Sequence, residues 1–296
     1  MPAPPDDHTR ENVLAAADES GLDAQGLTLL HRHATAVYLL PKADAVARVH
    51  SGDTTAAERA VVITRWFLDH GLPVTEPLPD TAPVVLDDGT VITFWVHYPQ
   101  DASAGGADPA ELGHILRELH KLPTPPIPLP RHQPLQPLRR TLAATGTLDP
   151  DDQQWITTTA DRLLTAYDSL QFPLGEGHLH GDAYPGNLVH DPTQRRWRLG
   201  DWDETCTGPR ELDLANTYQG IRLGRTTTEL NRFAHAYGHD LRDWEGLPVL
   251  QGIRDLHTLG SFIIRATAGD TTATNVLRQR LHTLRHGQPA DPWNAR

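Results

Sequence analysis

Cysteine occurs once, at Cys206, so the chain has no internal disulfide and no cysteine-based zinc site. Lysine is scarce: Lys42 and Lys121 are the only two among 26 basic residues, and arginine supplies the rest. No apolar run approaches the ~20 residues needed to cross a bilayer. The longest, VLQGIRDL and GSFIIRATAG, are short and broken by charge. The first ten residues, MPAPPDDHTR, place acids and prolines where a secretory signal has a basic and then an apolar segment. A cytoplasmic protein without a membrane partner is therefore expected. A basic surface is lacking too. The formal charge of −12 argues against a nucleic-acid partner. Beside plain solubility, it favours a cationic small substrate drawn by the overall field.

What is present is a chain of 296 residues, 38% hydrophobic, enough for two lobes of ~100–200 residues each. After a loose tail (1–10) and a short helix (11–25), LTLLHRH and ATAVYLLP predict two strands with a turn at His31 to Ala34. AVARVH predicts a third strand. A helix is expected from Thr54, with Ser51 and Asp53 as capping candidates and Gly71 at its end. PVVLDDGTVITFWVHYP predicts a hairpin turning at Asp-Asp-Gly. DASAGGADP is a linker by composition. Beyond it the pattern turns helical: 109–122, a proline-rich loop (123–137), then helices near 150–170, 211–222, 227–237, 249–266 and 271–286. There is no internal repeat. The expected class is α+β, with a small mixed lobe at 1–100, a larger and mostly helical lobe at 101–296, and a site in a cleft between them.

One stretch stands out: HLHGDAYPGNLVHD, residues 178–191. NLVH predicts a strand, Asp191-Pro192-Thr193-Gln194 a turn, and RWRLGD a returning strand. Such a hairpin puts Asn187 beside Asp201, with Asp182 in the loop ahead. Two carboxylates and an amide oxygen are hard ligands that suit Mg²⁺ on substrate phosphates. Asp182 is left to face a substrate hydroxyl.

His180-Gly181-Asp182-x-x-x-x-Asn187, followed by Asp201-Trp202-Asp203, resembles the catalytic and metal loops of the aminoglycoside phosphotransferase (APH-like) small-molecule kinases, relatives of the protein kinases. GPRELDLA (208–215) and LGHILRELHKLP (112–123) resemble further family segments, and the resemblance covers most of 27–220. It implies a bilobal, protein-kinase-like fold and ATP with Mg²⁺ as cofactors. By the same resemblance, Asp182 takes the acceptor proton, Asn187 and Asp201 hold the metal, and Asp203 assists there or ties down the loop. His180 and Asp213 support the catalytic loop. Phe94, Trp95, Val96 and His97, with Tyr98, form the hinge that meets adenine. The implied acceptor is a hydroxyl on a small molecule such as a cationic antibiotic, a sugar or an amino alcohol, in resistance or in biosynthesis.

The sequence departs from the family where a third-strand lysine is usual. Arg48 stands there, and the phosphate contact is assigned to it, with Glu58 as its partner. The nucleotide loop HRHATA lacks glycine, leaving Thr35 to offer a hydroxyl and backbone N–H groups. Other readings stay open: a kinase of peptide Ser/Thr hydroxyls, a pseudokinase-like nucleotide-binding module, and a hydrolase using His178, His180 and Asp182 as metal ligands.

Overall fold

Alternating apolar residues over the first hundred positions build one antiparallel sheet. The computed structural model describes residues 7–32, 35–51, 54–100, 105–146, 148–287 and 291–293. Residues 1–6 of the expected tail, His33 and Ala34 of the nucleotide loop, the capping candidate Asp53 and the side chain of Ser51, and linker residues 101–104 lie outside the described residues. Two compact units form. The first comprises Met1–Ala107, Lys121–Leu129 and Gly186–Thr205; the second comprises Asp108–His120, Pro130–Pro185 and Cys206–Arg296. The expected division at residue 100 follows chain order. By contacts, the hairpin after the HGD motif packs with the first unit instead.

In the first unit, α1 (Asp7–Glu19) precedes β1 (Thr28–Arg32), β2 (Ala36–Leu40), β3 (Ala45–Ser51), α2 (Thr54–Asp69), β4 (Val84–Val85) and β5 (Thr90–Val96). The sheet order is β1-β2-β3-β5-β4. Helix α1 starts before residue 11 and stops before 25, because Gly21 takes a left-handed φ of +67° just past its end. Val13, Ala16 and Ala17 of α1 pack on Tyr38, Leu40, Ala45, Ala47, Ile92 and Phe94, which point to one face of the sheet. The alternation that turns Ala45 and Ala47 to that face turns Arg48 to the other. Helix α2 buries Ala57, Ala60, Val61, Ile63, Thr64 and Phe67, an i, i+3, i+4, i+7 stripe.

The motif hairpin, β7 (Leu188–Asp191) and β8 (Arg196–Leu199), is grafted onto this unit by backbone bonds. Thr75 donates its N–H to the Leu199 carbonyl at 3.0 Å, and Leu199 donates to the Pro73 carbonyl at 2.9 Å. Arg198, 1% exposed, rivets the hairpin in place. It donates to Asp191 (2.8 Å) and the Val74 carbonyl (3.0 Å), pairs with Glu76 (2.8 Å) and lies over the Tyr98 ring.

The second unit holds α3 (Pro109–Leu119), α4 (Gln136–Ala144), α5 (Pro150–Asp168), β6 (Glu176–Leu179), β9 (Cys206–Pro209), α6 (Glu211–Gln219), α7 (Thr227–Tyr237), α8 (Leu247–His257), α9 (Leu259–Thr267) and α10 (Thr271–His286). Strands β6 and β9 pair antiparallel, with Leu179 opposite Cys206, which is buried. Helix α3 opens with Asp108 capping the Ala110 N–H and Pro109 at its first turn. It meets α7 at Gly113, where a Cβ would come within 2.7 Å of the Phe233 carbonyl oxygen. Helix α6 has every residue buried, which makes it the axis of the unit. The helix expected at 249–266 divides at Thr258 into α8 and α9.

Candidate active site

Strand β6 delivers the His-Gly-Asp motif into a loop that α6 holds. Asp213, at the start of α6, is fully buried. Its Oδ2 accepts the His180 N–H (2.8 Å) and a bond from His120 Nε2 (3.1 Å), and its Oδ1 accepts the Gly181 N–H (2.9 Å). Burial alone would raise the Asp213 pKa, but the bonds and charge of His120 and the His180 bond outweigh it and hold the carboxyl below its usual range. Gly181 has φ of +90°, a conformation that favours glycine, so the turn between two bonded N–H groups needs this residue. The His180 ring accepts the Asp182 N–H at 3.2 Å. His180 and Asp213 thus fix the path of the loop.

The Asp182 side chain has two partners that the motif does not reveal. Asn216 donates to Oδ1 at 3.0 Å, and Arg254 of α8 donates to the same oxygen at 2.6 Å. Asn216 lies one helical turn after Asp213, so the face that holds the loop also touches its carboxylate. That i, i+3 spacing was a readable signal; Arg254, 72 residues from Asp182, carried none. His132 and His257 lie beside Arg254. Burial, and then the charge of Arg254, push both imidazoles down to about 4.

In the first unit, the Gly200 N–H donates to the Asn187 carbonyl at 2.9 Å, and Leu188 pairs with Leu199. Asn187 is therefore opposite Gly200, one position from Asp201. Asn187 itself lies in a 3-10 turn rather than in the strand. Asp201 follows β8 with φ of +64°, a left-handed conformation rare in non-glycine residues. A 3-10 turn at Trp202–Glu204 then brings Asp203 back toward Arg48. Trp202 is buried against Phe67 of α2, with ring centroids 4.7 Å apart, which anchors this turn.

One nitrogen of Arg48 bonds Asp201 Oδ1 at 2.5 Å and Asp203 Oδ2 at 2.8 Å. Burial opposes the charge on Arg48, but Asp201 and Asp203 overcome it and hold the guanidinium above its usual pKa. The expected partner, Glu58, is exposed on α2. The pairing assigned to it belongs to Asp201 and Asp203, because the inward stripe of α2 passes through Ala57 and Val61 and leaves position 58 outside. His50, on the same sheet face as Arg48, lies 3.6 Å from Asp203 and 3.1 Å from Thr93.

Thr35 is half-buried in the bend before β2. In the hinge segment, Phe94 and Trp95 are buried. The Phe94 carbonyl accepts from Leu78, the Val96 N–H donates to Glu76, and the His97 N–H donates to Asp44. These three main-chain groups are bonded within the unit.

The donor set fits a divalent cation bound to phosphates. Among the described residues, no group of three His, Cys, Asp or Glu is placed to hold a metal ion. The His178 ring, a metal ligand in the hydrolase reading, is buried and bonded to the Leu119 carbonyl at 2.8 Å. Asp201, Asp203 and the amide of Asn187 instead offer a few hard oxygens, which suits a metal that takes the rest of its shell from phosphate and water.

No protein of curated function matches the chain. Solved structures do match over nearly their whole length. An amicoumacin kinase in complex with AMP-PNP, Ca²⁺ and Ami shares 15% identity, 96% of this chain and 98% of that one, at a TM-score of 0.72. A spectinomycin phosphotransferase in complex with ADP and spectinomycin shares 16% identity and 95% of each chain, at 0.67. A choline/ethanolamine kinase family protein from Mesorhizobium loti shares 17% identity and 93% of each chain, at 0.62. These likenesses establish the protein-kinase-like fold. Among the described residues, no helix is long and apolar enough to cross a membrane. The model of the phosphotransferase enzyme family (APH) matches residues 27–250, most of the chain, and the protein belongs to that family.

Proposed function

We propose that this phosphotransferase moves the γ-phosphoryl group of ATP to a hydroxyl of a small molecule. The observation that carries this reading is the holding of Asp182. Its loop is pinned by Asp213 through two N–H groups, and its carboxylate is oriented by Asn216 and Arg254. A carboxylate held this way is fixed in position to accept a hydrogen bond from an acceptor hydroxyl. In the step, the acceptor hydroxyl hydrogen-bonds to Asp182 and its oxygen attacks the γ-phosphorus. The new P–O bond forms as the bond to the β-phosphate oxygen breaks. ADP leaves, and the proton passes to Asp182 and then to solvent. Positioning and charge neutralisation supply most of the rate.

Asn187 and Asp201, with Asp203 beside them, are the residues that would hold a divalent cation, magnesium in this proposal. Bound there, the metal neutralises charge on the phosphates. Arg48 is released from Asp201 to meet a phosphate, and Asp203 keeps its fork in place. Adenine is placed along the segment from Phe94 to His97, with Thr35 at the phosphate end; Glu58 has no part in holding Arg48. The similar structures, whose names give antibiotics and amino alcohols, support a small molecule as acceptor. The intact set of Asp182, Asn187 and Asp201 disfavours a module that only binds nucleotide.

The test is ATP-dependent phosphorylation of a panel of hydroxyl compounds, read by mass, with the unaltered chain and Asp182→Asn. Loss of the proton acceptor is expected to lower kcat by roughly 10²–10⁴, with ATP binding retained. Undiminished turnover in Asp182→Asn, or turnover unaffected by a chelator, refutes the assignment.

A further inference from the structure

Arg254 is more than a clasp on the loop, because its own bonding is incomplete. Its side chain is 13% exposed, so the cation has largely left water. One nitrogen bonds Asp182 Oδ1, an oxygen already shared with Asn216. Its Nε is buried and has no hydrogen-bond partner among the described residues. A guanidinium presents five N–H donors in a planar fork and pairs best with an oxyanion through two of them. A desolvated cation is stable only when its donors are met. Asp182 meets Arg254 through one nitrogen only.

The neighbours do not complete it. His257, one turn further along α8, and His132 are neutral near pH 7, since burial and Arg254 itself hold both near 4. Asp213, the other carboxylate that acts on His132, is committed to His120 and to the N–H groups of His180 and Gly181. Among the described residues, the charged side chain bonded to the Asp182 carboxylate is Arg254. The net charge of −12 predicts a cationic ligand from the overall field, whereas the nearest fixed charge beside Asp182 is a guanidinium.

We propose that Arg254 marks an oxyanion subsite beside Asp182, taken by a carboxylate on the acceptor or by the phosphate ester that transfer leaves there. The proposal rests on the reading of Asp182 as the residue that receives the acceptor hydroxyl. It narrows the acceptor class: an ammonium group next to the reacting hydroxyl is disfavoured at this position, and a carboxylate is favoured. Either oxyanion supplies the second acceptor that the Arg254 fork lacks.

The experiment measures binding to the full chain without nucleotide, so it does not depend on phosphoryl transfer. Four matched probes are compared by calorimetry or ligand-observed NMR: glycolate, hydroxyethyl phosphate, ethylene glycol and ethanolamine. At least one anion is expected to bind about tenfold more tightly than the neutral and amine probes, a difference of about 1.4 kcal/mol. Glycolate alone assigns the site to an acceptor carboxylate, and hydroxyethyl phosphate alone to the product ester. Arg254→Met should erase the preference, and Arg254→Lys should restore part of it. Ethanolamine or ethylene glycol binding as tightly as both anions overturns the proposal, as does an unchanged preference in a folded Arg254→Met. The ranking on the unaltered chain decides the matter by itself if that variant fails to fold. If transfer depends on Asp182 but no anion preference exists, the kinase reading stands and the subsite falls.

Discussion

Replacing Arg48 by methionine separates its two roles. In the structure one guanidinium nitrogen holds Asp201 and Asp203 together, at 2.5 and 2.8 Å. The Arg48 side chain is 16% exposed, Asp203 25% and Asp201 44%. Hydrogen bonds to charged groups contribute about 1.5–3 kcal/mol each. The exposure of Asp201 calls for a discount toward surface values, and the two bonds share one nitrogen. A loss of about 2–4 kcal/mol follows, together with two carboxylates brought close and uncompensated. For a chain of this size each kcal/mol moves Tm by roughly 2–4 °C, so Arg48→Met should melt about 4–16 °C lower in metal-free buffer. The same change vacates the carboxylates for a metal. Manganese at 100 times its Kd returns about 2.7 kcal/mol, or roughly 5–11 °C, to the variant. The unaltered protein, with Arg48 already on both acids, should show little shift in manganese without nucleotide. Differential scanning calorimetry measures both arms, and Asp203→Asn in the methionine background should shrink the manganese shift. Glu58→Gln is the control: an exposed glutamate without an Arg48 bond should change stability by no more than about 0.5 kcal/mol. Equal manganese shifts in both proteins, or a Glu58→Gln loss matching Arg48→Met, would refute the reasoning.

Two further outcomes follow from buried groups in the second unit. His132 and His257 titrate near 4 in the folded chain and near 6.5 when unfolded, so the unfolded state binds more protons between those values. Stability should be unaffected by them above about pH 6.5 and should fall as pH drops toward 4, by up to roughly 3 kcal/mol for each imidazole. His132→Gln and His257→Gln should flatten that slope in urea titrations at stepped pH, and an unchanged slope counts against the burial argument. Gly113→Ala puts a Cβ 2.7 Å from the Phe233 carbonyl oxygen and 3.0 Å from Ala236 Cβ. Overpacking of this kind costs about 1–3 kcal/mol, so the α3–α7 pair should loosen and Tm should drop; a neutral or stabilised variant contradicts the close approach.

The parts of this fold that could be read from the chain are those whose causes are local. Alternation in AVARVH, the β-branched and aromatic run TVITFWV, the Asp108-Pro109 cap and the Asp-Asp-Gly turn are each settled within a few residues. Strands β6 and β9 escaped because EGHL and CTGP are four residues long and carry glycine or proline, so alternation had no length to show itself. Helix α4 was hidden by the prolines around it; it begins after Leu135, which takes a left-handed φ of 59°. The nearness of Asn187 to Asp201 was legible because a hairpin converts sequence offset into register. The pairing of Asp182 with Arg254 and of Arg48 with its two acids was not. Arg254 and Asp203 are 72 and 155 residues from the acid or base they meet; nothing local distinguishes Arg254 from a solvated surface charge, and the motif that marks Asp203 does not name Arg48 as its partner.

The scarcity of lysine bears on the proposed acids of each unit. Arg48 sits on Asp201 and Asp203, and Arg254 sits on Asp182. A buried lysine can shed its proton and release its partner, but an arginine stays charged throughout the accessible pH range. A functional acid paired to arginine is therefore not freed by titration of that base. In the proposed reading ligand competition would free it: a metal held by Asn187 and Asp201 would release Arg48, and an oxyanion would complete the Arg254 fork beside Asp182. In this reading the acids of the site stay neutralised until ligand arrives, and each arginine then has a phosphate or carboxylate to move to. The distribution of charge in the resting chain and the order of ligand binding become one question, and the manganese and anion-probe experiments address its two ends.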